Sequence, residues 1–211
     1  MRPCTRRIAP AKGGADGVIA AEGLEKRYGR KWALRGVSFD LPPKGFLLLT
    51  GANGSGKTTL LRLVTGLAAP TGGSLRVEAE RGALGYLAHE PLLYRELTAL
   101  ENLELFGRLY RVAERRERSG MLLERFGLWE VRSNRVSTFS RGMTQRLALC
   151  RALLHDPAVV VLDEPFTALD ESGAALLDHE LEALAGARTV LVSTHDPARV
   201  APLATHRVVL A

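Results

Sequence analysis

Gly51-Ala52-Asn53-Gly54-Ser55-Gly56-Lys57-Thr58 is the stretch that decides the fold. It fits the P-loop pattern G-x-x-x-x-G-K-[ST], and Thr59 extends it. Phe46-Leu47-Leu48-Leu49 before it is a short apolar run that reads as a buried strand. Thr59-Leu60-Leu61-Arg62-Leu63-Val64 after it reads as the first turns of a helix, ending around Thr65-Gly66. Strand, glycine-rich loop and helix in that order are the context the motif needs. The physical reason is charge. A triphosphate is densely negative, and glycines let backbone N–H groups close around it as a nest. The helix start adds the positive end of its dipole. Lys57 supplies a mobile charge for the β- and γ-phosphates, and Thr58 offers a hydroxyl to Mg²⁺.

Working outward, two candidate strands at 18–28 and 33–41 precede the loop and suggest an antiparallel ribbon, with Val37, Phe39 and Leu41 alternating with polar neighbours. Pro42-Pro43-Lys44-Gly45 reads as a turn, and so does Pro70-Thr71-Gly72-Gly73. Leu84-Gly85-Tyr86-Leu87 reads as a short strand that runs into His89. Residues 92–136 look helical. Thr98-Ala99-Leu100-Glu101 is a capping box, and Leu100, Leu103, Phe106 and Tyr110 follow at helical spacing. A second helix places Arg115 to Arg118 on a solvated face and Met121, Leu122 and Phe126 on an apolar one, with Gly127 as its stop. Ser140 caps a third helix, whose Met143, Leu147, Cys150 and Leu154 form a buried face. Val159–Leu162 and Thr189–Ser193 are fully apolar or nearly so, as strands of a parallel sheet are. A helix over about 171–185 lies between them, and Arg207–Leu210 reads as an edge strand.

Composition bounds the answer. The chain has 211 residues, 46% hydrophobic and 25% charged, enough for one sizeable domain. No apolar run is long enough to span a bilayer. Cys4 and Cys150 form no disulfide framework. The net charge of +6 is partly carried by residues 1–17, which hold four basic side chains and one acid and read as a mobile arm before a domain over 18–211. The remaining basic residues are interspersed with acidic ones, so no nucleic-acid partner is expected.

The ends of parallel strands are where an open sheet delivers its chemistry. One end runs into the P-loop. A second presents Asp163 and Glu164, a third presents His195, and His89 stands in a loop beside them. Asp163 suits Mg²⁺ beside Thr58. Glu164 suits a base for an attacking water, and His195 a γ-phosphate contact that steadies Glu164. Tyr28 is placed to stack on a purine base.

At this point the chain resembles the nucleotide-binding subunits of ATP-binding-cassette transporters. Phe139-Ser140-Arg141-Gly142-Met143-Thr144-Gln145-Arg146 is similar to the family signature L-S-G-G-Q-x-Q-R. Val159–Glu164, Ala168-Leu169-Asp170 and His195 match its further motifs, and Tyr28 stands at the position of its base-stacking aromatic. The resemblance implies an α/β P-loop NTPase with a RecA-like core, an N-terminal antiparallel β subdomain and a helical insert over about 90–150. It implies a head-to-tail dimer that buries two ATP molecules with Mg²⁺. Gly51 to Thr59 of one copy would face Ser140, Arg141 and Gly142 of the other. It also implies integral membrane subunits gripped near His89 and the insert, at the cytoplasmic face of the inner membrane. Arg141 and Met143 depart from the signature, and His89 stands where most members carry a glutamine that senses Mg²⁺.

His89, Leu97–Leu103, Asp163–Asp170 and the short length resemble the haem-exporter ATPases of bacterial cytochrome c maturation in particular. Three alternatives stay open: the ATPase of another export system, a soluble cassette ATPase outside transport, and a module that closes on ATP but hydrolyses it poorly.

Overall fold

The computed structural model describes residues 19–210. The arm expected over 1–17, together with Val18 and Ala211, lies outside the described residues. The chain begins with β1 (Ile19–Tyr28) and β2 (Lys31–Leu41), which pair antiparallel as expected. β3 (Phe46–Gly51) carries the P-loop, and α1 (Lys57–Val64) follows it. β4 (Gly72–Val77) then returns to β1 and completes a three-stranded sheet in the order β2-β1-β4. The expected turn at residues 70–73 is therefore half strand. Gly73, at φ 71°, presses so close to Gly23 that a Cβ there would sit 2.2 Å from the Gly23 carbonyl oxygen. Glycine marks close strand contact here rather than a turn.

β5 (Leu84–Leu87) opens the second sheet. α2 (Ala99–Leu109), α3 (Arg115–Arg125) and α4 (Arg141–Leu153) form a helical layer before β6 (Val159–Asp163). α5 (Glu171–Leu184), β7 (Thr189–Ser193) and β8 (His206–Leu210) complete the chain. The five strands run parallel in the order β5-β6-β7-β3-β8, with β8 at the edge. The family fold read from the sequence is the fold observed.

The strands read as continuous apolar runs because both faces of this sheet are covered. Leu47, Leu49, Val159, Val161 and Leu191 point into a core shared with α1 and the antiparallel sheet. Phe46, Leu48, Val160, Leu162, Val190 and Val192 alternate with them into a second core under the helices.

The helical layer departs from expectation in detail. Thr98 and Glu101 do form the capping box, Thr98 N–H donating to Glu101 Oε2 at 2.8 Å and Glu101 N–H to Thr98 Oγ1 at 3.2 Å. Residues 92–98 and 126–140, however, are loop and short 3-10 turns, held to each other by Val136 N–H donating to the Leu97 carbonyl. Asn102, fully buried, knits the first of these loops through Tyr94 and the Thr98 carbonyl. Met121 is 43% exposed, and Leu123 takes the buried place expected of it. Arg118 turns away from the solvated face to reach the Leu153 carbonyl and Asp156. Cys150 is wholly buried, and burial pushes its thiol far up, so it is inert packing.

Candidate functional site

The P-loop leaves β3 at Gly51 and enters α1 through Gly56, at φ 103°. Two of its glycines are demanded by contact. A Cβ on Gly51 would lie 2.4 Å from the Leu210 carbonyl oxygen, and one on Gly56 2.3 Å from that of Ala33. No side chain caps α1 and no acid sits in its first turn, so its leading N–H groups are left for a ligand. Lys57 is only 7% exposed. Its ammonium donates to the Gly51 carbonyl at 2.9 Å and lies 3.6 Å from Glu164 Oε1.

The carboxyl ends of β6 and β7 meet this loop. Asp163 is fully buried; Oδ1 accepts from Ser193 Oγ at 2.6 Å, and Oδ2 has no partner. Glu164 follows in a left-handed conformation, φ 51°, costly for a side chain larger than glycine. Its N–H is shared between the Ser193 carbonyl and hydroxyl, both at 3.1 Å. Glu164 Oε2 accepts from the His195 backbone N–H at 3.1 Å and from Nδ1 at 2.8 Å. A carboxylate only accepts, so this contact places the His195 proton on Nδ1.

Lys57, Thr58, Thr59, His89, Glu164 and Tyr28 line one cleft of about 370 Å³. Tyr28 is half exposed, with the Lys26 ammonium 4.8 Å from its ring centre. Asn53, Gly54 and Gly56 line the cleft as well. Ser140, Arg141 and Gly142 are not brought into this cleft. Ser140 caps α4 by accepting from Met143 N–H, and Arg141 lies on a separate groove that His89 also lines. Gly142 abuts the loop after β6, where a Cβ would stand 2.9 Å from the Ala168 carbonyl oxygen. Gln145 ties the same loop to α4 through the Pro165 carbonyl at 3.1 Å.

Sequence reasoning missed Ser193, Lys31 and Trp32, the last two lining the cleft beside Tyr28. Ser193 had a signal: it is the hydroxyl that closes an apolar strand beside Asp163. Lys31 and Trp32 had one too: the antiparallel ribbon expected from the sequence folds β2 back on β1, so that Lys31 pairs with Tyr28 and Trp32 with Arg27.

The residues fit a hard divalent cation. Asp163 Oδ2 is a buried carboxylate oxygen without a donor, and its chain neighbour Glu164 lines the cleft together with Thr58. Among the described residues no three His, Cys, Asp or Glu side chains gather to hold a metal alone. That pattern suits Mg²⁺, which takes one or two protein oxygens and fills the rest from phosphates and water.

Residues 34–167 match the family model described as ABC transporter. The uncharacterized ABC transporter ATP-binding protein YxlF of Bacillus subtilis (strain 168) is 39% identical over 184 residues, covering 84% of this chain and 62% of its own. The Nod factor export ATP-binding protein I of Paraburkholderia xenovorans (strain LB400) is 36% identical over 192 residues, 85% of this chain and 63% of its own. The chain thus spans about three-fifths of the length of these curated relatives. Among solved structures, the dimeric MJ0796, a bacterial ABC transporter cassette, superposes with a TM-score of 0.83 at 29% identity, over 91% of this chain and 94% of that one. A post-hydrolysis form of the same cassette, bound to ADP and Pi, gives the same TM-score at 28% identity.

Proposed function

Because the chain belongs to the ABC transporter family, we propose that it is the ATP-hydrolysing subunit of a membrane transporter, working as a head-to-tail pair. The observation that carries this reading is the convergence of Lys57, Glu164 and His195, each tied to the next within 3.6 Å beside a glycine-built anion cradle. Tyr28 stacks on the adenine. The N–H groups of Gly54 to Thr59 take the phosphates. Lys57 exchanges its loop carbonyls for β- and γ-phosphate oxygens. Asp163 and Thr58 hold Mg²⁺, which when bound neutralises charge developing on those phosphates. Glu164 takes a proton from water, whose oxygen attacks the γ-phosphorus as the bond to the bridging oxygen breaks, yielding ADP and phosphate. His195, donating to Glu164 through Nδ1, reaches the γ-phosphate through Nε2, which must carry the ring's second proton to donate to a phosphate oxygen. Ser140, Arg141 and Gly142 lie apart from their own chain's cleft, which is what a site completed by a second copy requires. MJ0796 is a dimer of similar chains.

The membrane subunits dock on the groove formed by the His89 loop and the helical insert, and the chain sits peripherally at the cytoplasmic face. No helix among the described residues is long and apolar enough to cross a membrane. The finer reading, haem handling in cytochrome c biogenesis, rests on His89 and the stretches 97–103 and 163–170. The competing reading is export of another cargo, favoured by a relative named for Nod factor export. Deleting the gene and staining membranes for covalent haem separates them, since only the first predicts lost c-type cytochromes.

The direct test is light scattering of Glu164→Gln beside wild type with ATP and Mg²⁺. The variant is expected to lock as a dimer while wild type returns to monomer. Dimerisation of neither, with no ATP-dependent change when the assembled transporter is measured, overturns the proposal.

A further inference from the structure

We propose that Ser193 is a positioning residue whose single hydroxyl sets both acids of the site, aiming Asp163 at the cation and Glu164 at the water. The inference rests on the roles of Asp163 and Glu164 proposed above. Ser193 ends β7 at the middle of the sheet, with Leu49 of the P-loop strand on one side and Asp163 on the other. It is completely buried.

A hydroxyl has one proton to give and lone pairs to receive. Ser193 gives the proton to Asp163 Oδ1 at 2.6 Å, a short charge-assisted bond. It receives the N–H of Glu164 at 3.1 Å. The first bond fixes the carboxylate plane and occupies one oxygen, so Oδ2 is the one left without a partner for the cation. The second helps hold Glu164 at φ 51°, the conformation in which its side chain reaches His195 and Lys57. Without the hydroxyl, Asp163 has neither oxygen paired inside a buried site, and the Glu164 N–H keeps only the Ser193 carbonyl.

Two replacements of equal shape separate this role from packing. Ser193→Thr keeps the hydroxyl and Ser193→Val removes it at the same volume. Ser193→Ala removes it without the added methyl. The probe is a fluorescent ATP analogue, bound first in chelator and then titrated with Mg²⁺, alongside thermal melting. All chains are expected to bind the metal-free probe alike. The Mg²⁺ midpoint of Val and Ala is expected to rise about ten- to a hundredfold, the usual cost of losing a group that orients a metal ligand, with Thr near wild type. Turnover at saturating Mg²⁺ should also fall in Val and Ala. A Val or Ala chain that melts like Thr and keeps the wild-type Mg²⁺ midpoint overturns the inference. A wild-type chain whose nucleotide binding ignores Mg²⁺ overturns the reading of the site itself, and this shows before any variant is compared.

Discussion

The two ends of the parallel sheet use the same residue types to opposite purpose. At the carboxyl ends, Glu164 sits at φ 51° with His195 on its carboxylate. At the starting ends, Asp156 also sits at φ 51°, with His155 beside it in sequence. Asp156 is a closed account of charge: Arg118 takes one oxygen at 3.3 Å and Arg188 the other at 2.8 Å. His155 stacks on Tyr110 at 4.2 Å and donates from Nε2 to the Leu84 carbonyl at 3.1 Å. These contacts stitch the end of α4 to α3 and to the strand starts. At the other end Glu164 lies beside the P-loop ammonium of Lys57, and Asp163 next to it keeps a buried oxygen unpaired. Backbone strain and a His–acid pair therefore do not mark a site. What marks the carboxyl ends is a buried carboxylate oxygen without a partner beside a glycine-built anion cradle.

The widest separation is expected in turnover. Glu164→Gln should lower phosphate release by about a thousandfold, within the usual range for a general base. Asp156→Asn should leave it within about twofold of wild type, while lowering stability in urea by about 0.5–1 kcal/mol for an exposed ion pair. Equal losses of turnover in both would dissolve the distinction between the two ends.

Much of this contrast was legible beforehand. The spacing of Gly51, Gly56 and Lys57, and the acids closing an apolar strand at Asp163, carry their own geometry, because parallel strands all aim one way. What escaped was set by contacts distant in sequence. β4 hid behind Gly72-Gly73, whose glycines answer a close approach to β1 rather than a turn. Met121 was read as buried but is exposed, and Leu123 is buried though it was not named, because a helix with charges scattered around it has no clear apolar stripe. Arg118 was read as solvated, since nothing local announces Asp156. Trp32, near the guanidiniums of Arg27 and Arg35, is a different case: it lies opposite Arg27 in the expected hairpin, and only its place on the cleft went unread.

Backbone contact sharpens the comparison at the next level. Gly56 and Gly85 each have a carbonyl oxygen 2.3 Å from where a Cβ would be, Ala33 for the first and Ala152 for the second. Either alanine substitution should destabilise the chain by about 1–3 kcal/mol, as overpacking does. Gly56→Ala also distorts the anion cradle at φ 103°, so its nucleotide affinity should fall with its stability. Gly85→Ala, at the far end, should melt earlier yet bind nucleotide normally once folded. Melting curves and titration of the fluorescent ATP analogue on the same samples decide it. Normal binding by Gly56→Ala would mean the cradle tolerates what the contact distance forbids.

The smallest effect concerns His155 and acid. Burial is the main reason its imidazole is held below the ordinary value of 6.5, and the Arg151 and Arg118 charges add to it. The Leu84 carbonyl and Asp156 pull the other way. The chemistry agrees, because a second proton would have to go on Nδ1, which is buried without an acceptor. The folded form thus takes up its proton later than the unfolded chain as pH falls. Stability should be intact above about pH 6.5 and decline below it, since the unfolded state then binds more protons. Between about pH 7.5 and about pH 5.5, wild type should lose on the order of 2 °C more in melting temperature than His155→Gln. If the two melting profiles run parallel, His155 is no more stressed by acid than a surface histidine, and the starting ends of the sheet carry less buried tension than the stacked ring implies.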